Sequence, residues 1–364
     1  MRILITNSFG IGDVIFSTPL VEILKKRYPD SFIAYLCNKR AYEVLRSDPN
    51  IDKMFAYEKD EYRDVWKKSR LACFRKISEF MGVIKKEHFD IAIDLSLGYQ
   101  CSLFLMFAGI KKRIGFNYRN RGRFLTDKID IDAFSDKHVI EYYLDILKLL
   151  KIDHGGYPLK TRVYLTDSDS LWADEFLKVH GVGPDDRLVG IIPGCGASWG
   201  MDARYRRWDR ENFAKVADQV IERYGVKVLL LGDPKEVDLC DNIQGAMKHE
   251  AISSCGKTSL RNFLGLLNRC ALVVTNDGGP LHMAVGLGVK TVSIFGPVDE
   301  KIYGPYPPGP NHIVVSNFDM PCRPCYRKFK YTPCEDKLCL KLIGVEDVLL
   351  AVEKHVSKNG ALLR

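Results

Sequence analysis

One glycine-rich turn between two apolar runs constrains the fold of this chain more than any other stretch. Residues 271–275 are apolar or β-branched, and the run is long enough for a buried strand but too short for a helix. Asn-Asp-Gly-Gly at 276–279 breaks this pattern, and Pro280 stands at the first helical position. Residues 281–287 predict a short helix and residues 291–295 the next strand. The stretch is therefore a β-loop-α-β unit, and its loop lies at the usual ligand site of an open parallel sheet.

The turn also predicts an anion site. Gly278 and Gly279 precede the helix, so a phosphate could approach bare N–H groups at the positive end of the helix dipole. Asp277 and His282 flank this position. The alternative is an ordinary tight turn, in which Asp277 caps the helix and His282 lies on the surface. The residues of the turn alone leave both interpretations open.

Length and composition indicate a soluble protein of two domains. A chain of 364 residues is long for a single core. No run approaches the roughly eighteen apolar residues of a membrane span, and the N-terminus resembles a first strand rather than a signal peptide. We therefore expect a cytoplasmic protein. The net charge of +8 favours acidic partners without choosing between nucleotides, phosphorylated glycans, nucleic acid and an anionic membrane.

Strand-like and helix-like segments alternate along both halves, which predicts parallel sheets. The linker is expected at residues 154–158, His-Gly-Gly-Tyr-Pro. We predict an N-terminal domain over 1–155, a C-terminal domain over 156–340 that includes the loop with four cysteines, and a C-terminal helix within 341–364 that packs back on the N-terminal domain. The predicted strands cover residues 2–6, 31–37, 53–57, 90–95, 113–116, 187–192, 226–231, 251–254, 271–275 and 291–295.

The first strand is followed by a second glycine-rich turn at residues 7–13. This turn lacks the full dinucleotide fingerprint, so it gives little support to an NAD site. Asp13 begins the following helix and has two interpretations. It is either the N-cap of the helix or a carboxylate that faces the crevice above the sheet as a general base.

A dense basic segment follows the predicted strand at 113–116. Lys111, Lys112 and Arg113 lie just before and at the start of this strand, and the loop after it contains arginines at 119, 121 and 123. Such a run is usually a solvated loop. Because this one follows a strand end, contact with an acidic acceptor is the second interpretation.

Four of the eleven cysteines are clustered near the C-terminus. Cys322, Cys325, Cys334 and Cys339 form a C-x2-C-x8-C-x4-C pattern, which is the ligand inventory of a tetrahedral zinc or iron site. We predict a structural metal that pins an irregular loop. The alternatives are free thiols or disulfides, and disulfides are disfavoured in a reducing compartment. A catalytic metal is disfavoured because four thiolates leave no open coordination position.

These motifs, taken in order, resemble glycosyltransferase family 9, the bacterial lipopolysaccharide heptosyltransferases. The similarity spans nearly the whole chain. It is carried by Gly12-Asp13-Val14, Thr18-Pro19, Pro193-Gly194, Arg207-Trp208, Leu231-Gly232 with Glu236, Asp277-x-Gly279-x-x-His282, Phe295-Gly296-Pro297 and Gly304-Pro305.

The resemblance implies a GT-B fold, in which two Rossmann-like domains face each other across a cleft. It implies an acceptor in the N-terminal domain and a nucleotide-diphosphate sugar in the C-terminal one, ADP-heptose in the best-known members. The reaction would be inverting and independent of metal, with no catalytic cofactor. Asp13 falls on the family's proposed general base. Many members carry similar cysteines, and a related group that glycosylates autotransporter proteins binds iron through them.

The same resemblance implies the binding residues. For the donor they are Gly194, Arg206, Glu236, Thr258, Asp277, Gly278, Gly279 and His282. For the acceptor they are Gly12, Arg119, Arg121 and Arg123. Three features depart from the family pattern. Arg206 replaces a usual lysine, Gly278 replaces a frequent Ser or Thr, and the loop at residues 196–204 is longer and richer in Gly and Ala than a tight turn needs.

The leading hypothesis is thus a transferase that builds a lipopolysaccharide core or a related glycan, with peripheral contact to the inner membrane as a further expectation. A transferase that acts on a protein acceptor is the second hypothesis. A non-enzymatic protein that binds nucleotides or nucleic acid is the third. We expect no nucleic-acid partner, because the basic residues are not interleaved with aromatic stacking platforms.

Overall fold

The computed structural model describes residues 1–196 and 200–356. The chain divides into two compact units, Met1–Leu159 and Lys160–Arg364, and the division falls just after the predicted linker. In the described part of the chain, no helix has the length and apolar character needed to cross a membrane.

The N-terminal unit contains a six-stranded parallel sheet with the order β3-β2-β1-β4-β5-β6. Its central strands are buried along nearly their whole length, as a parallel sheet covered on both faces requires. The strands are β1 (Arg2–Thr6), β2 (Phe32–Cys37), β3 (Lys53–Ala56), β4 (Ile91–Asp94), β5 (Lys112–Tyr118) and β6 (Asp127–Ile131).

Helices connect these strands. They are α1 (Ile11–Phe16), α2 (Thr18–Arg27), α3 (Lys39–Leu45), α4 (Lys59–Lys68), α5 (Arg70–Lys85), α6 (Tyr99–Phe107) and α7 (Val139–Asp145), followed by a 3-10 turn at Ile146–Leu150.

The C-terminal unit repeats this architecture with the strand order β12-β11-β10-β7-β8-β9, again all parallel. A small antiparallel hairpin, β13–β14, follows the sheet. The strands are β7 (Leu188–Ile192), β8 (Lys227–Leu230), β9 (Ile252–Ser253), β10 (Leu272–Asn276), β11 (Lys290–Phe295), β12 (His312–Ser316), β13 (Tyr326–Arg327) and β14 (Lys330–Tyr331).

The helices of this unit are α8 (Asp167–Val179), α9 (Arg210–Tyr224), α10 (Val237–Ala246), α11 (Leu260–Arg269), α12 (Gly279–Leu287), α13 (Glu300–Tyr303), α14 (Leu338–Lys341) and α15 (Val345–Glu353), with 3-10 turns at Gly200–Arg206 and Pro234–Glu236.

Each sheet has a topological switch point, where two neighbouring strands continue to their next strands in opposite directions across the sheet. It lies between β1 and β4 in the first unit and between β7 and β10 in the second. In open α/β sheets, ligands bind outside the carboxyl ends of the strands at this point. Both glycine-rich turns that the sequence analysis selected lie there, because residues 7–13 follow β1 and residues 277–279 follow β10.

The last helix, α15, packs within the C-terminal unit. Val348, Leu349 and Val352 are buried in the core of this unit, where the helix packs on α9, β11 and β12. Their spacing gives α15 one apolar stripe, which this core takes up. Packing of residues 341–364 on the N-terminal domain stays a prediction. The predicted continuation beyond residue 356 lies outside the described residues.

Candidate functional site

The loops after β7 and β10 touch at the switch point of the C-terminal unit. A Cβ atom added to Gly278 would overlap the backbone carbonyl of Cys195. The backbone of Gly278 is extended, so this close approach, rather than an unusual dihedral angle, explains the glycine. The departure from the family's Ser or Thr at this position therefore has a physical reason.

The Asn276 side chain connects three segments at this point. Its Nδ2 donates to the carbonyl of Pro193 at 2.7 Å, and its Oδ1 accepts from the backbone N–H of Trp208 at 3.0 Å. Asn276 is completely buried. Trp208 is anchored on its other side, since its indole Nε1 donates to the carbonyl of Ile343 at 2.9 Å. The amide thus places the arginines that precede Trp208 against the end of β10.

Arg206, the first of these arginines, pairs with Asp277. Its Nη2 lies 2.5 Å from Asp277 Oδ2, and both side chains are buried. Burial raises the pKa of the Asp277 carboxyl, and the Arg206 guanidinium opposes this shift. Asp277 Oδ1 has no hydrogen-bond partner among the described residues. Asp277 Oδ1 is therefore available to accept a hydrogen bond just before the start of α12.

Arg207 pairs instead with Glu236 and is the more accessible of the two arginines. Its Nη2 donates to Glu236 Oε1 at 3.2 Å, and its side chain is 31% exposed against 8% for Arg206. The sequence analysis selected Arg206 as the site cation. The structure places two cations there, each next to a carboxylate.

The Glu236 carboxylate is held against the loop after β7. A Cβ atom added to Gly194 would overlap this carboxylate, which explains the Pro-Gly motif. Glu236 Oε2 also accepts from the backbone N–H of Asp233 at 3.1 Å, in a capping box that begins the turn after β8. Burial raises the pKa of the Glu236 carboxyl, although Arg207 and backbone N–H groups oppose the shift.

Helix α12 begins at Gly279, directly after this junction, with Pro280 in its first turn. His282 also lies in the first turn and is buried, with 5% exposure, so the surface alternative for this histidine is wrong. Thr258 is half-buried in the loop after β9, and Ser259 caps α11. That loop is joined to the one after β8 by a hydrogen bond from Gly256 N to the carbonyl of Gly232.

The described residues do not show the metal site predicted at the cysteine cluster. Within the described residues, which include all four cysteines, no group of three His, Cys, Asp or Glu side chains is placed to hold a metal ion. All four are free thiols, and Cys322 is exposed. Cys339 instead packs in the hydrophobic core, where burial raises its pKa to about 11, with smaller contributions from the other thiols of the cluster. A structural zinc or iron at this cluster therefore stays a prediction.

An arginine inside the cluster pins the loop instead. Arg323 is almost fully buried, and its guanidinium donates to the carbonyls of Gly296 (2.6 Å), Asn317 (3.1 Å) and Val298 (3.0 Å). It also pairs with Glu300 at 2.6 Å. These bonds tie the segment after β12 to the loop after β11, which is the task assigned to the metal in the sequence analysis.

In the N-terminal unit, Asp13 is half-buried at the third residue of α1. The N-cap of this helix is Gly10, so the cap interpretation of Asp13 is wrong. Gly12 lies beside it in the same turn. The buried side chain of Asn7 holds the loop, since its Nδ2 donates to the carbonyl of Asp13 (3.2 Å) and its Oδ1 accepts from Phe9 N (3.1 Å). Asn7 thus positions the Asp13 turn.

A second carboxylate lies at this switch point. Asp94 ends β4, and its Oδ1 accepts from the hydroxyl of Thr6 at 3.1 Å and from the N–H of Ser96 at 2.9 Å. Burial raises the pKa of Asp94, and these donors oppose the shift. The sequence analysis did not select Asp94. Because Thr6 ends β1 and Ser96 follows β4, these bonds indicate that Asp94 holds the ends of the two strands together.

The basic loop follows β5 at the same edge of the sheet. Arg119, Arg121 and Arg123 are exposed. The guanidinium carbons of Arg119 and Arg121 lie 5.0 and 5.5 Å from the ring centre of Tyr118, and that of Arg123 lies 4.9 Å from Tyr99. Arg113 differs, because its Nε donates to the carbonyl of Phe124 at 2.7 Å and closes the loop. The three exposed cations of this loop therefore lie at the same edge of the sheet as the Asp13 turn.

The fold and these sites define a class of α/β protein with two Rossmann-like units, one with paired charges at its switch point and the other with a half-buried carboxylate. The family model for glycosyltransferase family 9 (heptosyltransferase) matches residues 78–335. This chain belongs to that family and is a glycosyltransferase. The family resemblance of the motifs is confirmed.

Known proteins resemble the chain over nearly its full length. Lipopolysaccharide heptosyltransferase 3 of Escherichia coli K12 is 23% identical over 358 residues, which cover 96% of each chain. A glycosyl transferase family 9 structure from Veillonella parvula is 26% identical, has a TM-score of 0.80 and covers 97% of this chain and 96% of that one. E. coli ADP-heptose lps heptosyltransferase II is 21% identical, with a TM-score of 0.75 and coverage of 97% and 98%. The expected GT-B fold is confirmed.

Proposed function

We propose that this enzyme transfers a heptose from ADP-heptose to a lipopolysaccharide core, with inversion at the anomeric carbon and without a catalytic metal ion. The C-terminal unit would bind the donor and the N-terminal unit the acceptor. One observation carries the proposal: three loops converge at the switch point of the C-terminal unit, where Gly194 and Gly278 permit their contact. The names of the E. coli relatives support the choice of sugar and acceptor.

The donor groups follow from the contacts of that site. Glu236 is a buried acceptor beside Arg207 and is suited to ribose hydroxyl groups. The N–H groups at the start of α12, the helix dipole and the two arginines would stabilise the leaving diphosphate in place of a divalent ion. Gly279 and His282 belong to the first turn of α12, and Thr258 would contribute from the loop after β9.

The chemical step is a single displacement. The acceptor hydroxyl oxygen forms a bond to the anomeric carbon while the bond from that carbon to the diphosphate oxygen breaks. The electron pair leaves with the diphosphate, and the hydroxyl proton passes to the Asp13 carboxylate, whose place in the first turn of α1 is fixed by Asn7. Attack opposite the leaving group inverts the anomeric configuration.

The acceptor groups would be Gly12 beside the base and the three arginines of the basic loop. A lipopolysaccharide core carries phosphate and acidic sugars, and exposed guanidinium groups bind both through paired N–H donors. Arg119, Arg121 and Arg123 have the exposure that this task requires.

The test combines nucleotide binding with turnover. The thermal midpoint of the purified protein is measured with ADP, UDP, GDP, CDP and NAD at equal concentration, without divalent metal, because a ligand of the folded state raises it more the more tightly it binds. We expect ADP to give the largest rise in the thermal midpoint. In the turnover assay with ADP-heptose, NMR of the glycosylated acceptor should show an anomeric configuration opposite to that of the donor. A preference for UDP or GDP would contradict the heptose assignment, and a response to NAD alone would contradict the transferase.

A further inference from the structure

The hairpin of α4 and α5 in the N-terminal unit exposes large apolar side chains. Trp66 is 43% exposed, Leu71 81% and Phe74 59%. The rings of Trp66 and Phe74 meet edge to face with their centres 5.7 Å apart. Together with Lys67, Lys68 and Arg70, these side chains form what is called here the hairpin patch.

The hairpin patch is not needed to attach the hairpin to the protein. The opposite face does this, with Tyr62, Cys73 and Ile84 buried and Phe80 packed on the core of the N-terminal unit. Cys73, Phe80 and Ile84 follow helical spacing and define the inner side of α5, whereas Leu71 and Phe74 lie three residues apart on another side. The hairpin thus has a second set of apolar residues with no role in the core.

The charge around these apolar residues is of one sign. Residues 66–76 contain five cations and no acidic residue. Two of the cations have partners on neighbouring turns, since Arg75 pairs with Glu79 and Lys76 with Glu61. Lys67, Lys68 and Arg70 have no ion pair in the part of the chain that the structure describes, and the Arg70 guanidinium carbon lies 5.6 Å from the Trp66 ring centre.

The hairpin patch lies at the functional edge of its sheet. Helix α5 leads from the carboxyl end of β3 back to the amino end of β4, so its first turn lies at the edge where the strands end. Glu61 of α4 pairs with Lys39 of α3. The adjacent Asn38 donates from Nδ2 to the carbonyl of Phe9 at 2.6 Å, within the Asp13 turn. Helix α4, which carries part of the patch, is therefore linked to that turn through the start of α3.

We propose that the hairpin patch docks the enzyme on an anionic lipid bilayer. An aromatic ring, two further apolar side chains and unpaired cations form the combination that partitions into the lipid headgroup region of a negatively charged surface. A protein surface of mixed charge would leave Lys67, Lys68 and Arg70 unpaired, whereas an anionic bilayer pairs all three. The proposal deepens the proposed function, because the bilayer is the place where a lipid-linked acceptor is presented.

The test is co-sedimentation of the full chain with phosphatidylcholine vesicles, with and without phosphatidylglycerol, over a range of salt. We expect binding to the anionic vesicles only, weakened by salt as a Debye-screened interaction. The variant Lys67→Gln/Lys68→Gln/Arg70→Gln should lower the partition constant by about a hundredfold, since each cation near such a surface contributes roughly fivefold. Leu71→Ser/Phe74→Ser should lower it at every salt concentration.

Matched controls lie in the C-terminal unit and elsewhere on the surface. Lys151→Gln/Lys178→Gln/Lys215→Gln removes the same charge from exposed positions, and Leu171→Ser removes a side chain that is 68% exposed. Both should retain vesicle binding, and all variants should keep the wild-type thermal midpoint. Turnover on a deacylated, water-soluble acceptor separates the docking proposal from the proposed function. The docking variants should keep this turnover, whereas wild-type protein without it would contradict the proposed function.

Three outcomes would overturn the docking proposal. They are wild-type protein that does not bind anionic vesicles, patch variants that bind like the wild type, and charge controls that lose binding equally. A wild-type dimer in sedimentation that Leu71→Ser/Phe74→Ser converts to a monomer, without vesicle binding, would assign the patch to a second copy of the chain instead.

Discussion

The two units share a strand order and a device at the switch point, but they treat charge in opposite ways. In each unit a fully buried asparagine, Asn7 or Asn276, uses its side-chain amide to hold the adjacent loop. Asn7 presents one half-buried carboxylate, that of Asp13. Asn276 holds a segment whose arginines are paired with buried carboxylates. In the proposed function the same scaffold would offer a proton acceptor on one unit and a charge-balanced anion site on the other, because the loops rather than the sheet differ.

The largest expected effect comes from the N-terminal unit and concerns turnover alone. Asp13→Asn keeps the shape of the side chain but removes the proton acceptor, so kcat should fall by about 10²–10⁴-fold. The rise in thermal midpoint with ADP should be unchanged, because a base acts in the transition state and not in donor binding.

Asp30→Asn is the matched control, since Asp30 is an exposed carboxylate on the same unit. It should leave turnover at the wild-type level. An Asp13→Asn enzyme that retains most of its turnover would show that the base lies elsewhere, and Asp94, the second carboxylate at this switch point, would be the next residue to change.

The corresponding change in the C-terminal unit should affect stability as well as binding. Arg206→Met leaves the buried Asp277 carboxylate uncompensated, which costs about 3–5 kcal/mol of the free energy of unfolding. Denaturant unfolding measures this loss, and the response to ADP should weaken as well.

The double variant Arg206→Met/Asp277→Asn removes the charge that remains and should recover most of the lost stability, but not the donor affinity. If the single variant is as stable as the wild type, the ion pair is not the buried unit that its geometry indicates. The contrast with Asp13, where stability is unaffected, would then disappear.

The two asparagines allow a direct comparison between the units. Asn276→Ala leaves the Trp208 N–H and the Pro193 carbonyl without their partner, and each buried group costs about 1–3 kcal/mol. The variant should therefore lose stability and raise the Kd for ADP. Asn7→Ala should instead lower kcat, with ADP binding unchanged, because its amide positions the Asp13 turn.

Thermal shifts with ADP and steady-state kinetics on both asparagine variants check this division. An Asn7→Ala variant that weakens ADP binding, or an Asn276→Ala variant that changes only kcat, would contradict the assignment of donor and acceptor to the two units.

The contrast also shows which parts of the molecule the sequence could predict. Central parallel strands are continuous apolar runs, and the turns after them stand out through glycine, so the positions of the central strands and the Asp277–Gly279 turn could be predicted. The edge strands β6 and β12 were missed. Only one face of β6 is partly buried, and its sequence alternates with charged residues.

The site residues that were missed depend on contacts between distant segments. Asn276 bonds to Pro193 and to Trp208, and Arg323 bonds to carbonyls after two different strands. No local pattern marks such a role. The cysteine spacing describes an inventory of ligands and not their position, so a metal at this cluster stays a prediction; Cys339 itself packs in the hydrophobic core.

The smallest expected effect concerns the pH dependence of stability. It distinguishes the buried, charge-balanced site of the C-terminal unit from the half-buried Asp13 turn. Burial raises the pKa of both Glu236 and Asp277, so the folded protein holds protons that the unfolded chain has already released. Stability should therefore fall as pH rises from the ordinary glutamate pKa of 4.5 towards the raised one. The slope for one group is at most about 1.4 kcal/mol per pH unit.

Glu236→Gln removes one of these two groups and should make the fall in stability with pH shallower without abolishing it. Denaturant unfolding over this pH range measures the difference between the variant and the wild type. Glu211→Gln is the control, because the exposed Glu211 has a pKa that is lowered by Arg210 and contributes a slope of opposite sign. Equal slopes in Glu236→Gln and the wild type would mean that the Glu236 carboxylate is solvated in solution, and the donor site would then resemble the half-buried Asp13 turn rather than contrast with it.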